Sequence, residues 1–144
     1  MKHLKSYKIF ESNFEPFAGD ATDIIRDHKS EFTDLGFDVG VPVVTSYEID
    51  EYEEETEINR PKIISCLYFE ISTPLEGIEM VSECYEPLSN LRSHLESELG
   101  LDLSIEIYSD LPLMDLEDVC EVYGATEWEV LSVYIHKPFN RTPR

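Results

Sequence analysis

Cations are scarce in this chain: 11 Lys and Arg stand against 31 Asp and Glu in 144 residues, a formal charge of −20. That balance excludes a protein that grips nucleic acid through a basic surface, because the required electrostatic footprint is missing. Cysteine is scarce too. Cys66, Cys84 and Cys120 form an odd set without a CxxC pair, which argues against a disulfide frame or a zinc site. Reduced, largely buried thiols in a cytoplasmic protein are expected instead. No apolar run approaches the roughly 18 residues of a membrane span, and no positive–apolar–small leader marks a secretory signal. The 6 glycines leave little for a phosphate-cradling loop, since Gly36, Gly40, Gly100 and Gly124 fall at predicted turns or element ends. Signatures of the GxSxG and HExxH kind are absent.

What is present suffices for a core. Hydrophobic residues make up 42% and aromatic residues 11% of the chain, so disorder of the whole is not expected despite the charge. The length favours one domain. The charge is unevenly placed: Lys2, Lys5 and Lys8 make the start basic, and Lys137, Arg141 and Arg144 do the same for the end. Between them only Arg26, Lys29, Arg60, Lys62 and Arg92 oppose all 31 acids. The expected organisation is a basic amphipathic segment over 1–17, a single α+β domain over 18–139, and a basic tail over 140–144.

In the first segment Leu4, Tyr7, Phe10, Phe14 and Phe17 recur at helical spacing, and Pro16 with Ala18-Gly19 is expected to stop that helix. The opening "MKHLKSYKIFES" resembles the short Lys/aromatic leaders of small proteins of tailed phages. In some of those phages such leaders target a protein into the capsid and are then cleaved. The resemblance covers about a dozen residues, and Asn13 follows Glu11-Ser12 where the pattern has a small residue. It implies a viral origin. It also implies an alternative role as a structural or packaged phage protein with an N-terminal targeting segment.

A second helix is expected from a cap at Asp20, with Ile24, Ile25, His28, Phe32 and Leu35 on one face and Gly36 as a left-handed stop. The β-branched stretch Phe37 to Ile49 reads as a strand that Pro42 marks as an edge or bulge. Lys62 to Ser72 reads as another strand. In the second half Leu88, Leu91, Leu95 and Leu99 form a helical stripe ending at Gly100, while 78–86 is either a turn or a helical extension kinked at Pro87. Leu101 to Tyr108 and Trp128 to His136 alternate as strands, and Asp115 to Val122 reads as a short helix. The two helix–Leu-Gly–strand junctions give the order αββ–αββ. This predicts a ferredoxin-like four-stranded antiparallel sheet with helices on one face, plus the N-terminal amphipathic helix.

Candidate chemistry is thin. His28 beside an apolar stripe reads as a satisfied, partly buried histidine, and His94 as a solvated one. The acids around Cys120 raise a thiol's pKa and suppress the nucleophilic thiolate. The carboxylates lack the spacing of a calcium loop, so no metal and no cofactor is expected. An enzyme is not expected, although a carboxylate-based one is unrecognisable from sequence and stays open as an alternative.

The charge itself remains. Two acidic excursions are the candidate partner-binding clusters. The first holds Glu48, Asp50, Glu51, Glu53, Glu54, Glu55 and Glu57, and is expected to be a solvated turn or loop because like charges repel in a packed element. The second holds Asp110, Asp115, Glu117, Asp118 and Glu121. If the halves match, the two lie near each other. Duplex DNA carries one charge per ~1.7 Å, about 20 over the ~35 Å breadth of a domain this size, so the net charge permits mimicry of nucleic acid. The expected partner is therefore a basic, nucleic-acid-binding protein, with no direct contact to nucleic acid or membrane. Tyr68, Tyr108, Trp128 and Tyr134 alternate away from the core and are expected to form an aromatic sheet-face interface, with a homodimer as one use of it.

Overall fold

Helix α1 spans Glu15–Thr33 of a computed structural model that describes residues 15–108 and 111–141. The amphipathic helix expected over 1–17 falls outside the described residues as far as residue 14. The expected stop at Pro16 and Ala18-Gly19 does not occur: these residues form the opening turns of α1, and Asp20 lies inside the helix. A proline in the first turn gives up only an N–H that has no helical acceptor. Gly19 costs about 1 kcal/mol, which the complete burial of Ala21 and near-complete burial of Ile24, Ile25 and Phe32 outweighs. The helix ends as its Leu-Gly pair requires. Gly36 sits at φ +93°, and the N–H of Phe37 returns to the Phe32 carbonyl at 3.1 Å.

Helix α2 spans Met80–Leu99 and runs through Pro87, so the helical extension, not the turn, is what forms. Pro87 lacks the N–H that would bond the Glu83 carbonyl. Met80, Val81, Cys84, Leu88, Leu91 and Leu95 are all essentially buried and hold the helix through that interruption. Gly100, at φ +65°, closes it with an N–H to the Glu96 carbonyl at 2.9 Å. Helix α3, Leu116–Tyr123, is capped by Asp115, whose Oδ1 accepts the Asp118 N–H at 2.9 Å.

The strands are β1 (Asp38–Val39), β2 (Val43–Glu53), β3 (Ile58–Ser72), β4 (Asp102–Glu106), β5 (Met114–Asp115) and β6 (Val130–His136). They form one antiparallel six-stranded sheet in the order β1-β3-β6-β4-β5, with β2 also paired to β3. The α+β class therefore holds, but the four-stranded ferredoxin-like layout does not. Two local features make the difference. The pairing of β1 places Val39 opposite Ile71, whereas β2 resumes with Val43 opposite Tyr68. The register thus slips by one residue across 40–42, where Pro42 cannot donate, and the first strand splits. Residues 114–115 then add β5 to the other side of β4.

Strand alternation sorts the two faces. Leu67, Phe69, Ile71, Leu103, Ile105, Leu131, Val133 and Ile135 point to the three helices and form the main core. The opposite face carries a second, smaller cluster in which Ile49, Cys66, Leu113 and Tyr134 are buried. Tyr47, Ile64, Tyr68 and Phe139 pack around it.

Candidate functional site

Beyond Leu67, β3 has left β6 behind, and it continues toward its N-terminus paired with β2 alone. The result is a two-stranded arm, Thr45–Glu53 against Ile58–Cys66, about 30 Å long at the usual rise per residue. The first acidic cluster lies on it. Glu48, Asp50, Glu51 and Glu53 are in β2, and only Glu54, Glu55 and Glu57 are in the turn. The expected solvated loop is thus corrected to a strand, and alternation explains why. Glu51 and Glu53 share a face with the cations of β3: Lys62 Nζ lies 3.4 Å from Glu51, and Arg60 Nε lies 2.9 Å from Glu53. Glu48 and Asp50 point the other way, opposite Ile63 and Pro61. Among the described residues no Lys, Arg or His pairs with Glu48, Asp50, Glu54, Glu55 or Glu57, all of them exposed.

The second cluster has a different character. Asp110 lies outside the described residues. Asp115 caps α3, and Glu117 takes the Arg92 guanidinium in a bidentate grip, one arm at 2.6 Å. That grip holds the Glu117 carboxyl below the usual carboxylate range. Asp118 is half-buried and Glu121 exposed on α3. In the sheet, β3, β6 and β4 separate β2 from β5, yet Ile49 and Leu113 share the smaller buried cluster and residues 48–50 and 111–113 line one cavity, so the two excursions approach each other there and not as strands of neighbouring hairpins.

The expected aromatic platform divides in two. Tyr68 and Tyr134 lie with Tyr47 on the face away from the helices, ring centroids 4.8 Å (Tyr47–Tyr134) and 5.0 Å (Tyr68–Tyr134) apart. Tyr108 and Trp128 cluster instead with Tyr123 of α3. The physical reason is strand length: β4 ends at Glu106 and β6 begins at Val130, so the alternation stops before reaching either residue.

Under the arm is a cavity of about 590 Å³. Tyr47, Ile49, Leu113 and Phe139 line it, and Glu106 of β4 reaches into it. The Tyr47 hydroxyl donates to Glu106 Oε2 at 2.6 Å. Burial, and then the charge of Glu106, push the phenols of Tyr47 and Tyr134 well above their ordinary range, so both stay protonated donors. Among the described residues no Lys, Arg or His forms an ion pair with Glu106. Burial alone raises the Cys66 thiol to about 12, which leaves it inert.

The chain beyond β6 closes one side of this cavity. His136 is fully buried, with Nδ1 2.7 Å from the Lys137 carbonyl and Nε2 2.7 Å from Ser104 Oγ. A carbonyl only accepts, so Nδ1 carries the proton and the Ser104 hydroxyl donates to Nε2. Burial holds the His136 pKa below the ordinary histidine value, consistent with a neutral ring. Arg141 then donates to Ser104 Oγ at 2.6 Å and to the Leu113 carbonyl at 2.7 Å, with its guanidinium 4.5 Å above the Phe139 ring. A serine donating to a histidine has the elements of a nucleophile, but both are fully buried. The arrangement is a clasp that pins residues 137–141 across the sheet. Sequence reasoning missed it. Alternation places Ser104 and His136 on the non-core face, yet nothing in their spacing reveals that β4 and β6 are neighbours.

One further polar cluster joins α1 to α2. His28 Nε2 lies 2.9 Å from His94 Nδ1, while the Glu31 carboxylate bonds His28 Nδ1 and accepts from Asn90 at 3.0 Å. His28 is the satisfied, partly buried histidine expected. His94 is half-buried against it, not solvated. Among the described residues no group of three or more His, Cys, Asp or Glu side chains is placed to hold a metal, and no helix is long and apolar enough to cross a membrane. Compared with protein-family models, curated proteins and solved structures, the chain matches none.

Proposed function

We propose that this protein works by binding: the acidic arm engages a basic partner protein and blocks the surface with which that partner grips nucleic acid. The observation that carries this reading is the separation of charge on the arm. Lys62 and Arg60 serve Glu51 and Glu53, while Glu48, Asp50, Glu54, Glu55 and Glu57 stay exposed without a cation among the described residues. Acids kept only for solubility need no such concentration on a projecting element. A carboxylate surface of this kind steers association with a basic groove and competes for its Lys and Arg. In the second cluster Asp115 is spent on the cap and Glu117 on Arg92, so the arm is the working part of this proposal. The resemblance of residues 1–12 to tailed-phage leaders supports a host cytoplasm as the setting of this encounter.

The test is affinity capture from the native host with the natural protein and with an E48Q/D50N/E54Q/E55Q/E57Q variant, each at low and high salt. The expected result is a nucleic-acid-binding partner held by the natural protein at low salt, released at high salt, and not held by the variant. Capture that ignores both salt and the five substitutions overturns the proposal.

A further inference from the structure

Among the described residues no strand pairs with the outer edge of β2. Its register with β3 runs without interruption from Val43 opposite Tyr68 to Glu53 opposite Ile58, and β3 is its sole strand partner. The Tyr52 N–H points away from β3, to the Asn140 carbonyl at 3.1 Å. In an antiparallel pair the direction of the backbone groups alternates residue by residue. The N–H and C=O groups of Val44, Ser46, Glu48 and Asp50 therefore also point outward. Among the described residues no backbone group bonds them across that edge. The chain's own residue 140 makes the first rung.

Beside this vacant stretch lies the cavity, bordered by Glu48, Ile49 and Asp50 and containing Glu106. Its charge is one-sided. Among the described residues Arg141 is its sole lining cation and is already committed to Ser104 and Leu113, whereas Glu106 has no ion-pair partner there; Glu48 and Asp50, whose side chains point to the other face of β2 from Tyr47 and Ile49, add unpaired negative charge only at its border. Tyr47 and Phe139 supply aromatic surface suited to a cation's aliphatic stem and charged head.

We propose that an extended, Lys- or Arg-bearing segment of the partner adds to the outer edge of β2 over Val44–Asp50, with one cationic side chain entering the cavity toward Glu106. This rests on the reading that the partner is basic, and adds the manner in which it is held. An added strand gains affinity from main-chain hydrogen bonds and specificity from the pocket for its alternate side chains. A second copy of this chain is the poorer occupant. Two such edges paired antiparallel bring Glu48 and Asp50 beside the same acids of the other copy, and opposed like charges are destabilising.

The probe is a nine-residue alternating Val-Lys peptide, read by fluorescence anisotropy and by amide hydrogen exchange of the full chain. Binding is expected to protect the amides of Val44, Ser46, Glu48 and Asp50. An E106Q variant should bind about tenfold more weakly, the worth of one charged hydrogen bond. A Ser46→Pro variant should lose the peptide while keeping its far-UV spectrum, because the lost N–H faces outward and the β3 ladder is untouched. Should that variant not fold, the same peptide N-methylated at alternate residues makes the test from the other side, and it should not bind. Equal binding by the methylated peptide, or no protection of the four amides, overturns the inference. So does a dimer of the free chain, by ultracentrifugation, that Ser46→Pro dissociates. If the natural partner ignores Ser46→Pro and E106Q but is lost from the five-site arm variant, the edge is wrong and the proposed function stands. If the arm variant also keeps its partner, the proposed function falls as well.

Discussion

Ser104→Ala is the substitution for which the structure makes the sharpest demand. One hydroxyl donates to His136 Nε2 and accepts from Arg141, and the serine and histidine are both fully buried. Removing it leaves the ring nitrogen without a donor in a site closed to water, a desolvation cost of about 1–3 kcal/mol. Arg141 is only half-buried and can turn to water, so its loss adds less. A total of about 2–3 kcal/mol is expected, a large share of the ~5–15 kcal/mol that holds a domain together. With a urea slope of about 1–3 kcal/mol per molar, the unfolding midpoint should fall by roughly 0.7–3 M at an unchanged slope. The damage should also be local. Residues 137–141 are pinned by this clasp, so the Tyr52 amide, bonded to the Asn140 carbonyl, should exchange faster in the variant than in the natural protein. A midpoint shift below a few tenths molar, or a Tyr52 amide as protected as before, refutes the clasp.

The same histidine sets a pH dependence. The folded pKa of His136 lies below its ordinary value, so near pH 6.5 the unfolded chain takes up a proton that the folded chain refuses. Stability should therefore fall as the pH drops through about 6.5, and a His136→Gln variant should lose that part of the slope in urea titrations. Glu117, lowered chiefly by its hydrogen bonds to Arg92, contributes stability that is present above about pH 4.5 and fades below it. Because its side chain is 53% exposed, Glu117→Gln should cost under about 1 kcal/mol at neutral pH. Leu91→Ala, at a wholly buried position on α2, should cost about 2–5 kcal/mol by thermal or urea unfolding. Gly100→Ala forces a side chain into the left-handed region at φ +65° and should cost about 1–2 kcal/mol by the same measurement.

Periodicity made much of the fold legible. Leu88, Leu91 and Leu95 lie on the buried stripe of α2, and Leu103 and Ile105 face the helices as their alternation requires. Both Leu-Gly junctions close in the left-handed conformation, since only glycine adopts it without strain. The failures came where a local rule was outweighed. Pro16 and Gly19 are poor helix residues in isolation, yet the burial of the residues after them extends α1 back to Glu15. Seven neighbouring carboxylates oppose any packed element, yet only Glu48, Asp50, Glu51 and Glu53 enter the strand, which sends two to each face, and Lys62 and Arg60 pair with the two on one of those faces. Long-range pairing was not legible. The slip of register at 40–42, the added β5, the Ser104–His136–Arg141 clasp and the His28–His94 contact all join segments far apart in the chain, and side-chain periodicity carries no information about which strands become neighbours.

The central claim is that the carboxylates of the arm do the binding. It is tested most directly by measuring the captured partner's dissociation constant against salt for the natural protein and for the E48Q/D50N/E54Q/E55Q/E57Q variant. If the arm is the contact, affinity should fall steeply with ionic strength for the natural protein, and the variant should bind weakly with a much flatter slope. Two superimposable, equally steep lines would place the contact elsewhere on the molecule.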